Sequence, residues 1–372
     1  MLKIGITGQE GFVGTHLYNT LGLHLDEFER IPYHIDFFKS NEKLDVFVSQ
    51  CDVIVHLAAV NRHNDPQVLY DINVGLVNDL IASLERTSSK AHVILSSSSQ
   101  EERDNLYGKS KKVGRELFYN WSIKVGSVFT GLVIPNVYGP FGHPYYNSVI
   151  ATFSHQISHG ESPQIQVDGE LKLIYVGELV NEILTKIRDR KTEASYLVPH
   201  TSEAKVSELL SLLQFYKECY QDRGEIPVIN NTFELNLFNT FRCYMDIKNH
   251  FPVKFIEHTD PRGSFVEIIR LGVGGQVSFS TTVPGITRGN HYHTRKIERF
   301  AVIKGKALIQ LRRIGTNEVL DFYLDGNEPA YVDMPIWYTH NIKNIGEEVL
   351  YTNFWINESY NPNNPDTFFE EV

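Results

Sequence analysis

Cysteine is scarce: Cys51, Cys219 and Cys243 are the only three in 372 residues, far apart and without a CxxC pair. That excludes a disulfide framework and a thiolate metal motif, and leaves core or surface thiols. Runs of Lys or Arg are absent and the formal charge is −10. Neither nucleic acid nor an anionic membrane surface is therefore expected as the main partner. No stretch of about 18 uninterrupted apolar residues occurs, and Met1 leads straight into a short apolar run rather than a signal-peptide core. A cytoplasmic location is the expectation. Internal repeats and low-complexity segments are also missing. What remains is a chain that is 42% hydrophobic and long enough for two domains or three, each with its own core.

The first part alternates short apolar runs with longer helix-period segments. Leu2 to Thr7, Val53 to Leu57, Val93 to Ser97 and Val128 to Val133 read as buried parallel strands. Phe12 to Leu23, Tyr70 to Leu84 and Leu106 to Trp121 carry helical spacing. This βαβ pattern predicts an α/β fold, a Rossmann-like doubly wound parallel sheet. From Pro227 to Pro252 the composition turns to Asn, Phe and Pro without clear periodicity, which marks a junction between domains at 1–245 and 250–372. After it, Gln276 to Thr282, Phe300 to Ile303 and Ala307 to Arg312 are short strands between Gly, Pro and Asp turns. The C-terminal domain is expected to be all-β.

Thr7-Gly8-Gln9-Glu10-Gly11-Phe12-Val13-Gly14 joins the first strand to the first helix. Glycines there let the backbone approach a pyrophosphate, whose charge meets the free N–H groups and the positive end of the helix dipole. Dinucleotide binding at Gly8, Gly11, Phe12, Val13 and Gly14 follows. Tyr107 and Lys111 lie four residues apart on one helix face. An ammonium beside a phenol favours the phenolate and lowers its pKa, so that such a Tyr can protonate a carbonyl oxygen as hydride arrives. The same YxxxK spacing recurs at Tyr244 with Lys248 and at Tyr292 with Lys296. Only the first follows a strand that ends in Ser96, Ser97, Ser98 and Ser99, where a hydroxyl can bond the same carbonyl.

Further along, His291 and His293 alternate on a strand and so face one way, with Glu298 from the next turn and His340 beyond it. These four suit one divalent ion: Zn foremost, with Fe, Mn and Ni open.

Several of these segments resemble known families. His291, His293, Glu298 and His340 pair as the two signature motifs of the cupin, a jelly-roll β-barrel, although Trp337 stands where the second motif has glycine. Residues 1 to 240 resemble the extended short-chain dehydrogenase/reductases that act on nucleotide sugars. The glycine turn, His56-Leu57-Ala58-Ala59, Asn73-Val74, the serine run, Tyr107 with Lys111, and Pro135-Asn136-Val137-Tyr138-Gly139-Pro140 carry that likeness. It implies that Ser98 holds the substrate carbonyl, with Ser97 second because the serine run leaves the register open. Tyr107 would be the proton donor, and Lys111 would bind the ribose and tune Tyr107. Leu57, Ala58 and Ala59 would line the cofactor. Val133 stands where family members often carry an Arg that meets the substrate diphosphate. Glu27 to Ile31 offers both an acid and a base to the second ribose; biosynthetic reductases of this type use NADP(H), with Arg30 meeting the 2′-phosphate.

Asp260-Pro261-Arg262-Gly263-Ser264-Phe265 and Arg288-Gly289-Asn290-His291 are similar to the 4-keto-6-deoxy-sugar 3,5-epimerases, which use a His at the position of His291 as base. A metal-bound imidazole has no lone pair left for a proton. If His291 is a ligand, the base is another residue or a hydroxide on the metal, with Lys296, Tyr292 and Tyr360 as candidates. The whole arrangement looks like the bifunctional enzymes of capsule and O-antigen synthesis that lead to UDP-N-acetyl-L-fucosamine. It implies a UDP-linked 4-keto-6-deoxy amino sugar, inverted at carbon 3 in the cupin and reduced at carbon 4 by NADPH, in a homodimer. A single-activity reductase with a structural or sensory cupin is the alternative.

Overall fold

In the computed structural model, which describes residues 1–372, the N-terminal unit is built on six parallel strands. In chain order these are β1 (Leu2–Thr7), β2 (Phe28–Ile31), β3 (Val53–His56), β4 (His92–Ser98), β5 (Phe129–Ile134) and the strand Glu193–Leu197. Their spatial order is β2, β1, β3, β4, β5 and then Glu193–Leu197. Helices α1 (Phe12–Leu21), α2 (Asn41–Gln50), α3 (Pro66–Arg86) and α4 (Leu106–Val125) make the connections. Alternate strand residues supply two cores: Ile4, Ile6, Val53 and Val55 pack with Leu17 and Leu21, while Ile54, Val93 and Leu95 pack with Leu44, Leu80 and Phe118. Burial on both faces explains the near-continuous apolar strands. The chain leaves β1 toward β2 and returns to β3 on the other side, so a crevice opens at the C-terminal ends of β1 and β3.

The C-terminal unit carries two five-stranded antiparallel sheets. One runs Val253–Lys254, Ala330–Met334, Glu298–Lys304, Leu350–Ile356, Gln276–Thr282; the other runs Val319–Asp325, Lys306–Arg313, Tyr338–Asn344, Thr287–Tyr292, Phe368–Phe369. Period-2 patterning fills the space between them: Ala307, Ile309 and Leu311 of one sheet meet Ala301, Val302 and Val332 of the other. This is the all-β barrel of a cupin.

The compact units comprise residues 1–149 with 167–206, and 150–166 with 207–372. Helices between 207 and 250 thus pack with the barrel, where a single cut at 245–250 would group them with the sheet. The segment expected to be an aperiodic junction holds the helix Thr232–Arg242. Asn231 caps it by accepting from Glu234 N, and Leu237, Phe238 and Phe241 form its buried face. Asn236 and Asn239 within that helix masked an i, i+1, i+4 apolar set. No helix is long and apolar enough to cross a membrane.

Candidate active sites

At the crevice, Gly8 has φ +75°, and a Cβ there would lie 2.8 Å from Ala58 N. A Cβ on Gly14 would lie 2.2 Å from Gly8 O. Both glycines are therefore required for the loop to fold against the β3 exit and against α1. Helix α1 starts at an extended Gly11 without a side-chain cap and without an acidic residue in its first turn. The N–H groups of that turn and the helix dipole together fit a pyrophosphate, and Leu57, Ala58 and Ala59 flank the loop through the Leu57 N to Thr7 O bond of 3.0 Å. Asn73 clamps the same segment, accepting from Val60 N at 2.7 Å and donating to Val60 O at 2.9 Å.

Neighbouring residues of β4 face opposite ways, and this separates the two serines. Ser98 bonds the Tyr107 hydroxyl and caps the turn after β4 by accepting from Gln100 N at 3.2 Å. Ser97 instead bonds Glu101. Lys111 is buried and donates to Ser96 O at 3.0 Å, with its Nζ 5.9 Å from the centre of the Tyr107 ring. The expected lowering of the Tyr107 pKa is not what this geometry gives. Burial pushes the phenol up to about 12, with the Ser98 bond opposing, and burial pulls Lys111 down to about 8 against the field of Glu101. Desolvation outweighs the ammonium, which is held on the strand 5.9 Å from the centre of the phenol ring.

Arg30 also departs from expectation. It pairs in register with Ile4, well short of the loop, and its guanidinium stacks 4.3 Å over Tyr18 and donates to Tyr18 O at 3.2 Å. The guanidinium is thus turned onto α1, and Tyr33 and His34 follow the end of β2.

In the barrel, His291, His293, Glu298 and His340 converge with their ligand atoms all within 4.8 Å of one another. His291 opposes His340 across a bulge at Asn290, whose φ is +61°. His293 lies just past the strand end rather than on the strand, and Glu298 opens the following strand rather than sitting in a turn. Glu298 Oε2 is 3.2 Å from His293 Nε2 and 3.1 Å from His340 Nε2. The Nδ1 atoms of these two histidines meet Asp366 O and Tyr338 O, so both Nε2 atoms point at one centre. Burial pushes Glu298 up, but the two imidazoles outweigh it and hold its carboxyl well below the usual range; burial also pushes His291 down to about 4. Three imidazoles and a carboxylate are the nitrogen and oxygen donor set a divalent ion takes, and the residues fit one.

A cavity of about 160 Å³ adjoins the cluster, lined among others by Lys296, Glu358 and Tyr360. Lys296 is 2% exposed with its Nζ on Pro365 O, while Tyr292 stacks on Trp337, 5.8 Å between centroids. Tyr292 is thus core, away from the cavity lining. Sequence reading missed Asp366. Its carboxylate accepts from Thr294 N, Arg295 N and Lys296 N at 3.1 Å each, and from the Thr294 hydroxyl at 2.6 Å, which fixes the turn after His293. The polar tail Asn363-Asn364-Pro365-Asp366 was the available signal.

Comparison with known proteins agrees with both halves. Residues 4–198 match the NAD dependent epimerase/dehydratase family, and residues 258–368 match the polysaccharide biosynthesis C-terminal domain. The chain is similar to the UDP-2-acetamido-2,6-beta-L-arabino-hexul-4-ose reductase of Pseudomonas aeruginosa, 31% identical over 99% of this chain and 98% of that protein. It is also similar to the crystal structure of the capsular polysaccharide assembling protein CapF from Staphylococcus aureus, with 36% identity, 99% and 100% coverage and a TM-score of 0.64. A shorter stretch, 30% of this chain, is 29% identical to the spore coat polysaccharide biosynthesis protein SpsL of Bacillus subtilis. The chain is an enzyme that belongs to the NAD dependent epimerase/dehydratase family, carrying a polysaccharide biosynthesis C-terminal domain.

Proposed function

We propose that the N-terminal unit reduces the 4-keto group of a UDP-linked 2-acetamido-2,6-dideoxy-hexulose with NADPH, and that the barrel inverts carbon 3 of the same sugar beforehand. The product is a UDP-2-acetamido-2,6-dideoxy-L-talose for capsule or O-antigen synthesis, made in the cytoplasm by a homodimer. What supports this reading is that Ser98, Tyr107 and Lys111 meet at the end of β4, next but one in the sheet to the strand that runs into the glycine loop, in a chain whose other unit gathers three imidazoles and a carboxylate. The division of labour follows two domains, 1–245 and 250–372.

NADPH supplies the hydride. Ser98 holds the carbonyl oxygen, and Tyr107 gives it a proton as charge develops there. A phenol held neutral by burial keeps that proton until the carbonyl is in place. Lys111 contacts the ribose, and its ammonium offsets the negative charge left on Tyr107 once that proton has gone. In the barrel, His291, His293, Glu298 and His340 hold a divalent ion, zinc, which would supply a Lewis acid beside the ketone. Lys296 and Tyr360 line the cavity where a proton next to that ketone would be exchanged. Epimerisation of a labile keto sugar is near thermoneutral, whereas reduction runs downhill, so linking the two draws the mixture forward. The test is incubation of the full chain with the 4-keto sugar in deuterium oxide. Without NADPH, deuterium should enter at carbon 3; with NADPH, the cofactor should be consumed. Consumption of NADPH without any label at carbon 3 would leave only the reductase.

A further inference from the structure

Tyr107, Lys111 and Arg115 are spaced four residues apart and form one stripe along α4. Each meets a successive part of the β4 end: Tyr107 bonds Ser98, Lys111 bonds Ser96 O, and Arg115 bonds Glu101 in the 3-10 turn Ser99–Glu102. The Arg115 contact is a two-pronged ion pair, Nε to Oε1 at 2.9 Å and Nη2 to Oε2 at 2.7 Å, with side chains only 14% and 6% exposed. The remaining Arg115 nitrogen, Nη1, donates to Ala194 O of the neighbouring strand at 2.9 Å, and the Ser97 hydroxyl donates to Glu101. The turn also rests on α4 itself, because a Cβ at Gly108 would lie 2.0 Å from Gln100 O. Glu101 is thus the knot between the strand that presents Ser98 and the helix that presents Tyr107.

We propose that Glu101 is a positioning residue for the reduction: it fixes the Ser98 hydroxyl against Tyr107 and supplies the counter-charge for the buried Lys111 ammonium. This rests on the assignment of Ser98, Tyr107 and Lys111 given above. Lys111 is faced by Tyr107 from its own helix, by the buried, neutral His56 from β3 and by Glu101 from the turn. Glu101 is the one acid whose field acts on Lys111, and it opposes the effect of burial. With the negative charge removed, the ammonium loses its proton at lower pH, and with it the help it gives Tyr107. A bidentate arginine contact also fixes direction, which a lone hydroxyl contact would not.

The experiment is the pH profile of NADPH-dependent reduction for the full chain and for Glu101→Gln, with Tyr107→Phe as control. Glutamine keeps the shape and the bond to Ser97. The expected result is a kcat lower by roughly tenfold with KM for NADPH little changed, and an alkaline limb of kcat/KM displaced down by about one pH unit. A merely structural ion pair would lower the melting temperature and leave the pH profile where it is, and that outcome overturns the proposal. If Glu101→Gln melts too low to assay, Glu101→Asp keeps the charge but shortens the reach: a reduced kcat with an unmoved pH profile supports the role, and parental kcat overturns it. Parental turnover in Tyr107→Phe would strike the underlying site assignment instead, and the role of Glu101 falls with it.

Discussion

Tyr107 and Phe differ by one oxygen, and that oxygen sits on Ser98. Tyr107→Phe should leave NADPH binding intact, measured by fluorescence titration, and lower the reduction rate by about 10² to 10⁴; an unchanged rate would end the proton-donor role. Gly14 gives a sharper steric case. Gly14→Ala puts a methyl 2.2 Å from Gly8 O, so the loop must open and the affinity for NADPH should drop by at least an order of magnitude while the barrel is untouched. Single residues differ in how much the sequence says of them. The glycine turn stands out because its close approaches admit one residue type, whereas the YxxxK spacing recurs twice elsewhere and only the serine strand before Tyr107 sets that pair apart. Arg30 is the harder case because charge alone says nothing of direction: it is next to last in its strand, yet its guanidinium lies over Tyr18 of α1.

At the scale of elements, β1, β3, β4 and β5 were legible to within a few residues, since burial on both faces leaves apolar runs that only a central strand produces, whereas Asn41–Gln50, Val176–Asp189 and the edge strand Glu193–Leu197 were not read. Thr232–Arg242 was not read, because its apolar face is narrow and Asn236 and the buried Asn239 interrupt the pattern. Three histidines tied into this unit set its acid response. His16 meets Pro140 O, His56 meets Thr7 and His92 meets Thr130, and burial holds them down at about 4, 3 and 4. Folded, they stay neutral; unfolded, they take up protons below about 6.5. Their contribution is therefore present above that pH and is lost as the pH falls toward 4, by on the order of 1 kcal/mol per unit for each. Melting of the N-terminal unit followed from about pH 7.5 to 5 should show a steep decline, and a flat profile would count against it.

For the molecule as a whole, the two units have separate cores, and the four candidate metal ligands all lie in the barrel. Chelation should therefore lower the melting transition of the barrel by several degrees and leave that of the sheet unit in place, as calorimetry would show; equal shifts in both would contradict the ligand assignment. Asp366→Ala should do much the same to metal content, because the turn that follows His293 loses four hydrogen bonds to one carboxylate. That carboxylate was hard to place from the sequence since its partners are 70 to 72 positions away. The same long reach makes the barrel vulnerable in one particular way. A protease that cuts the exposed backbone near Asn361 would leave every ligand covalently in place, yet free the latch that aims them. Preparations with intact reductase turnover and no isomerisation should accordingly be checked for clipping by mass spectrometry before any loss is blamed on the metal.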